Sequence, residues 1–193
     1  PLVRYWIHVA FLNLNSAKMS KSRGNVVTAR EATEKYGYRL LRFFFISNHY
    51  RTTLDFSEEI LKQAKGALDR LDEFIFKIDK KAEDDVSGLK TEVLEILDND
   101  FDTPKALAVI FDFIRNNRDK MGKNTYAFFQ ELNSIFDFFE FDREMPEGIK
   151  MLLEKRKKLR GEKKFSEADK IRDEIEKHGY NVEDLPAGRQ VIK

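Results

Sequence analysis

Two lysines three positions apart, Lys18 and Lys21, stand in the run Lys18-Met19-Ser20-Lys21-Ser22, with Arg23-Gly24-Asn25 directly after it. From Lys18 to Arg30 the chain holds four cations and no acid. A lysine ammonium is a mobile point charge with three donors, and Ser20 and Ser22 add hydroxyl donors. Gly24 lets the backbone turn closely. Such a set can surround a polyphosphate. When a carboxylate is joined to the α-phosphate of a nucleotide, negative charge moves onto the departing pyrophosphate. Cations placed there act mainly in the transition state, where binding accelerates reaction. A loop that closes and reopens also lets product leave. A solvated Lys/Ser loop of no function has the same composition, so the surroundings must decide.

The other chemistry-bearing stretch lies near the end. Lys150 to Arg172 carries ten cations against four acids. Arg156, Lys157, Lys158, Arg160, Lys163 and Lys164 are candidates for a track along nucleic-acid phosphates. Phosphate contacts position a chain, and base edges specify it. Asp169, Arg172 and Asp184 are of the types that unpaired bases need as partners: Arg donors for guanine-like acceptors, Asp acceptors for amino groups. Asp169 and Arg172 lie three apart, hence on one helical face, and Asp184 sits in the following turn. The plainer alternative is that Asp169 caps a helix starting at Ser166 while Arg172 pairs with Asp169 or Glu176.

These groups need elements to hold them. With 41% apolar and 36% charged residues and 17 Phe, the 193-residue chain is globular, with room for one to two domains. It has no cysteine, which excludes disulfides and thiolate metal sites. His8, His49 and His178 are too scattered for a self-contained zinc site. Packing or hydrogen bonding is the expected role for His8 and His49, and core packing that of Trp6. No apolar run is long enough to span a membrane, and the first residues, Pro1-Leu2-Val3-Arg4, carry no signal-peptide pattern. Residues 3–14 predict one or two short strands, Asn13 to Ser16 a turn, and Lys18 to Asn25 a surface loop. Thr28-Ala29-Arg30-Glu31 is a capping box for a helix that Gly37 ends. Helices are then predicted over Arg39–Ser47, from Ser57 to Ile78, over Ser87–Asn99, from a Thr103 cap with Pro104 behind it through Ile114, and over Thr125–Phe139. The stretch from Ala106 is apolar nearly all round and reads as central. An acidic zone of eight acids from Glu83 to Asp102 separates the two basic zones. Met145-Pro146-Glu147-Gly148 reads as a boundary. Two more helices, Ile149–Leu159 and one opening at Ser166, and a hairpin around Pro186-Ala187-Gly188 complete the chain.

The pentapeptide Lys18 to Ser22 matches the second signature of class I aminoacyl-tRNA synthetases at all five positions, and the whole chain resembles the cysteinyl-tRNA synthetase family. Tyr5-Trp6-Ile7-His8, Leu41-Arg42-Phe43, His49-Tyr50-Arg51 and Leu54-Asp55-Phe56-Ser57 come in the family's order. So do Asp100-Phe101-Asp102-Thr103-Pro104, Phe165-Ser166-Glu167-Ala168-Asp169 and Val182-Glu183-Asp184-Leu185-Pro186. Val9-Ala10 departs from the family after the histidine. The family's ATP-holding His-x-Gly-His sequence is absent. The resemblance is therefore to the C-terminal part.

It implies a mainly α fold: an antiparallel helical bundle, preceded by the end of a nucleotide-binding α/β domain and followed by a small α/β tail. The domains fall at residues 1–27 (the lysine loop), 28–56 (connector helices), 57–145 (a tRNA-binding bundle) and 146–193 (anticodon binding). It implies cysteine–tRNA ligase activity: ATP-dependent activation of cysteine and its transfer to tRNA(Cys) in the cytoplasm, by a monomer. Lys21 would stabilise pyrophosphate, helped by Lys18, with Ser20 and Ser22 on the ATP phosphates. Arg160, Asp169, Arg172 and Asp184 fall where the family contacts the anticodon. Zinc is expected in the complete enzyme with its ligands elsewhere, none on this chain, and the isolated chain is expected to be inactive. The alternatives are a stand-alone tRNA-binding paralogue, a cysteine-adenylating ligase acting on an amino sugar, which would not need residues 150–193, and a plain helical scaffold.

Overall fold

In a computed structural model the described residues are 2–20, 25–117, 121–141, 146–185 and 189–192. They form two compact units, residues 1–74 with 78–139 and residues 75–77 with 140–193. The fold is mainly helical, as the sequence implied.

The first unit opens on a three-stranded sheet of β1 (Leu12–Leu14), β2 (Ala17–Lys18) and β3 (Leu54–Phe56), ordered β2-β1-β3. β1 and β2 are antiparallel, and β1 and β3 are parallel with Leu12 opposite Leu54. The β1–β2 turn is tighter than predicted. Asn15 and Ser16 both take left-handed backbone, and Asp55 of β3 accepts from the Ser16 N–H at 2.6 Å. The segment before β1 is open to solvent, contrary to the expected core role: Trp6 is 75% exposed and stacks on His8.

α1 (Ala29–Tyr36) begins at the Thr28 box, with Glu31 accepting from the Thr28 N–H and Thr28 accepting from the Glu31 N–H. Gly37, at φ 78°, ends it and starts α2 (Tyr38–Ile46). α3 (Glu58–Lys77), α4 (Ser87–Asp98), α5 (Thr103–Asn116) and α6 (Lys123–Phe136) follow. Their core is rich in phenylalanine. Phe129 meets Phe74 edge-on at 5.7 Å and Phe139 at 5.2 Å, and Phe43 meets Phe138 at 5.1 Å. Edge-to-face packing adds to the gain from apolar burial itself.

Three details depart from the sequence reading. Asp102, not Thr103, caps α5 by accepting from the Lys105 N–H, which frees the Thr103 hydroxyl to donate to Ile46 O at 2.6 Å. α5 is amphipathic rather than buried all round: Ala106, Leu107 and Ile110 face inward, while Ala108 and Asp112 are exposed. α6 stops at Phe136 because Asp137 turns left-handed, and α2 takes up the freed carbonyls. Arg42 donates to Phe136 O at 2.6 Å and Ile135 O at 2.8 Å, and Arg39 to Phe138 O at 2.9 Å. Phe138 and Phe139 are buried beyond the helix end.

The N-terminus of α6 is capped from afar. Asp84 accepts from the N–H groups of Asn124 and Thr125 and from the Thr125 hydroxyl. The backbone of Gly122 passes so close to Ala82 O that a Cβ would lie 2.1 Å from it. Burial pushes the Asp84 carboxyl up, but the hydrogen bonds from Thr125, Gly122 and Asn124 outweigh it and hold the group below its usual range.

The second unit packs α7 (Glu147–Gly161) on α8 (Phe165–Lys177) around Ile149, Ile171, Ile175 and Val182. β4 (Val182–Leu185) pairs antiparallel with β5 (Arg189–Ile192), as the predicted hairpin requires. Residues 186–188, and the boundary residue Met145, lie outside the described residues.

Asp84→Ala is expected to lower unfolding stability by about 1–2 kcal/mol, the usual cost of a lost helix cap. Urea unfolding would show a lower midpoint at unchanged slope; an unshifted midpoint contradicts remote capping.

Candidate functional site

The lysine run begins at the end of β2. Lys18 lies at the strand's last position, with Nζ 4.3 Å from the centre of the Phe11 ring. Asn25 ties the two arms of the loop together. Its Oδ1 accepts from the Ser20 N–H at 3.0 Å and its Nδ2 donates to Lys18 O at 3.3 Å. These two bonds join residue 25 to residues 18 and 20. Lys21 and Ser22 themselves, with Arg23 and Gly24, lie outside the described residues.

A second constellation joins the connector to the bundle. His49-Tyr50-Arg51 follows α2, and Asp100 stands between α4 and α5. Arg51 donates to the Asp100 carboxylate through Nε at 2.8 Å and Nη2 at 3.0 Å, and the Tyr50 hydroxyl donates to the same group. His49 Nε2 lies 3.1 Å from Asp100 O, the hydrogen-bonding role expected of it. Asp100 and Phe101 both hold left-handed backbone, and Phe101 is 60% exposed. Two consecutive non-glycine residues in that region are costly and persist only when their surroundings impose them. The hydrogen bonds of Arg51 and Tyr50 draw the Asp100 carboxyl from 3.8 down to about 2. Residue spacing gave no sign that positions 49–51 and 100 meet.

In the second unit the α7–α8 turn is basic, with Lys163 left-handed between Glu162 and Lys164. Arg160 and Phe165 flank it, the guanidinium carbon 5.8 Å from the ring centre, and Phe165 is 54% exposed. Arg160 Nη1 is 3.3 Å from Asp184 Oδ2. Asp169 and Arg172 are exposed on α8, bordering the buried Ala168, Ile171 and Ile175. Arg172 pairs with Glu176 at 3.1 Å. Asp169 does not cap α8, which starts at Phe165 with Lys164 before it. The charge of Arg172 acts on Asp184, and that of Asp169 acts on Arg156, so the structure brings all four sequence-predicted residues into one neighbourhood.

Arg156 corrects the phosphate-track reading. It is fully buried and donates to Asp184 through Nη1 at 2.7 Å and Nη2 at 2.8 Å. A guanidinium already closed on a carboxylate inside the unit offers nothing to a phosphate. Lys164 is paired with Glu162 at 2.8 Å, whereas Lys157, Lys158 and Lys163 are exposed. The sequence reading gave Phe165 no binding role; the basic turn beside it was the available signal. A groove of about 740 Å³ lies at the other end of the α7–α8 pair, lined by Ile149, Leu152, Lys155, Glu174, His178 and Tyr180. Arg160 and Phe165 are themselves exposed, the form that suits extended nucleic acid better than a small ligand.

Among the described residues no group of three or more His, Asp or Glu side chains is placed to hold a metal ion. Nor is any helix there long and apolar enough to cross a membrane.

Residues 1–66 match the family model described as the tRNA synthetases class I (C) catalytic domain. Residues 142–191 match that of the cysteinyl-tRNA ligase anticodon binding domain. The chain belongs to the cysteinyl-tRNA ligase family. It is 34% identical to a cysteine–tRNA ligase of Thermococcus gammatolerans over 96% of this chain and 46% of that protein. It is 33% identical to one of Carboxydothermus hydrogenoformans over 97% of this chain and 46% of that protein. The chain thus spans a little under half the length of these cysteinyl-tRNA ligases. The catalytic-domain match takes in the lysine run, the sheet and the His49-Tyr50-Arg51 connector. The anticodon-domain match takes in Arg156, Arg160, Phe165, Asp169, Arg172 and Asp184.

Because its carboxyl is depressed in the fold, Asp100 contributes stability that is present above its usual 3.8 and fades as pH falls towards about 2. The gap in melting temperature between the unaltered chain and Asp100→Asn is therefore expected to be widest near about pH 7 and to narrow below about pH 4. A gap that does not change with pH contradicts this account of the corner.

Proposed function

We propose that these residues are the phosphate-loop and tRNA-holding parts of an enzyme that activates cysteine with ATP and transfers it to tRNA(Cys). The observation that carries this reading is the double match: a synthetase catalytic model at one end and a cysteinyl anticodon model at the other.

In the first step the cysteine carboxylate attacks the α-phosphorus of ATP and the bond to pyrophosphate breaks. The Lys21 and Lys18 ammonium groups neutralise charge building on the pyrophosphate oxygens, with the Ser20 and Ser22 hydroxyls donating beside them. In the second step a hydroxyl of the tRNA's terminal ribose attacks the acyl carbon of cysteinyl-adenylate and AMP leaves. The bundle and the C-terminal unit hold the tRNA meanwhile. Lys157, Lys158 and Lys163 meet phosphates. Arg160, Asp169, Arg172 and Asp184 read the unpaired triplet, and the exposed Phe165 ring offers a face on which a base can stack. Zinc chemistry in this reading belongs to residues outside the chain, and no step here runs through a metal. The place of action is the cytoplasm and the working state a monomer.

The His-x-Gly-His sequence that grips ATP in the family is not among these 193 residues. The isolated chain is accordingly expected to bind tRNA(Cys) without catalysing cysteine-dependent exchange of pyrophosphate into ATP; robust exchange refutes this division of labour. Removing Lys163 should weaken binding to all tRNAs alike and flatten the dependence of log Kd on log salt by about one unit. In a completed enzyme Lys21→Ala should slow adenylation about 100-fold or more, with the KM for ATP little changed. Full activity contradicts the pyrophosphate role.

A further inference from the structure

Arg156 has no exposed surface, and its Nε finds no hydrogen-bond partner among the described residues. Its neighbours along α7 include Leu152, Leu153 and Leu159, which pack on the apolar cluster of the unit. A guanidinium buried there with one N–H unmet is a poor route to stability, because an apolar side chain of similar volume often does as well or better. What an apolar side chain cannot do is fix the plane of a carboxylate. Arg156 does so, one nitrogen on each oxygen of Asp184 at 2.7 and 2.8 Å, and thereby ties α7 to β4.

The Asp184 carboxylate keeps 32% of its surface, so its outer side is open. On that side Arg160, itself 37% exposed, reaches Oδ2 at a longer 3.3 Å and lies over Phe165. A carboxylate has about four acceptor positions. Arg156 fills two from within, while Arg160 forms an ion pair from without and no hydrogen bond. The inner partner is buried and forked; the outer one is exposed and held by a single contact.

We propose that Arg156 is a positioning residue for RNA reading: it holds Asp184 in a fixed plane at the surface, so that an incoming base amino group can displace Arg160 and donate to the freed oxygen. The released Arg160 then faces the RNA. This rests on the reading of the second unit as an RNA-binding surface, and it adds which contact is permanent and which is exchanged.

The test is the affinity of the 193-residue chain for a tRNA(Cys) transcript and for transcripts with each anticodon base changed. Arg156→Met, Asp184→Ala and the double variant are compared with the unaltered chain. Arg156→Met is expected to fold, with a melting temperature within a few degrees of the original. It should lose about 10-fold or more of the discrimination against one changed base, and should lose nothing further in the Asp184→Ala background. Arg160→Gln should weaken the tRNA(Cys) transcript more than those with a changed anticodon base, narrowing the discrimination between them, whereas unchanged discrimination contradicts the exchange of Arg160 for a base. A folded Arg156→Met or Arg156→Lys that keeps full discrimination overturns the proposal. So does loss of folding in both variants, which would assign Arg156 to folding alone. An unaltered chain that binds tRNA with no anticodon preference removes the RNA-reading role itself, and this inference with it.

Discussion

A planar guanidinium that donates twice fixes direction as well as distance, and the described structure uses such a fork at three joints. Arg156 closes on Asp184 and ties α7 to β4. Arg51 closes on Asp100 and ties the connector to the start of α5. Arg42 reaches two carbonyls at the end of α6. Each of these arginines is occupied by protein. Among the described residues of the second unit Lys157, Lys158 and Lys163 are exposed, and Arg160 and Arg172 are held at the surface by ion pairs. In the proposed function charge is thereby sorted into two jobs: forks set the geometry, and mobile ammonium groups meet phosphates.

Helix ends show the same economy of means. α1 is capped by its own preceding threonine, α5 by Asp102, and α6 by Asp84 some 40 residues away. Caps drawn from distant segments couple secondary structure to tertiary structure. The acidic zone between Glu83 and Asp102 is thus partly accounted for: Asp84, Asp100 and Asp102 each accept hydrogen bonds that fix a corner of the first unit. Solubility alone does not explain their placement.

Local pattern made much of this legible. The Thr28 box, the Gly37 stop, the long amphipathic α3 and the hairpin from Val182 all follow from spacing and turn chemistry. The candidate site was legible in its residue types, and the resemblance to the family put Arg160, Asp169, Arg172 and Asp184 together. What spacing did not reveal depends on contacts between distant residues. Arg156 reads as one more cation in a basic helix until the fold turns it inward. Asp100 reads as one of eight acids until Tyr50 and Arg51 reach it. Trp6 reads as core because aromatic residues usually are, yet it faces solvent. Periodicity reports which face of an element is apolar; it does not report which polar group on another element lies opposite.

The most direct test of the account is amide hydrogen exchange of the chain with and without tRNA(Cys). Slowed exchange concentrated around the α7–α8 turn and in β4, lost when the tRNA anticodon loop is deleted, is the predicted result. Protection absent from that region, or unaffected by removing the loop, contradicts the claim that this surface holds the unpaired triplet.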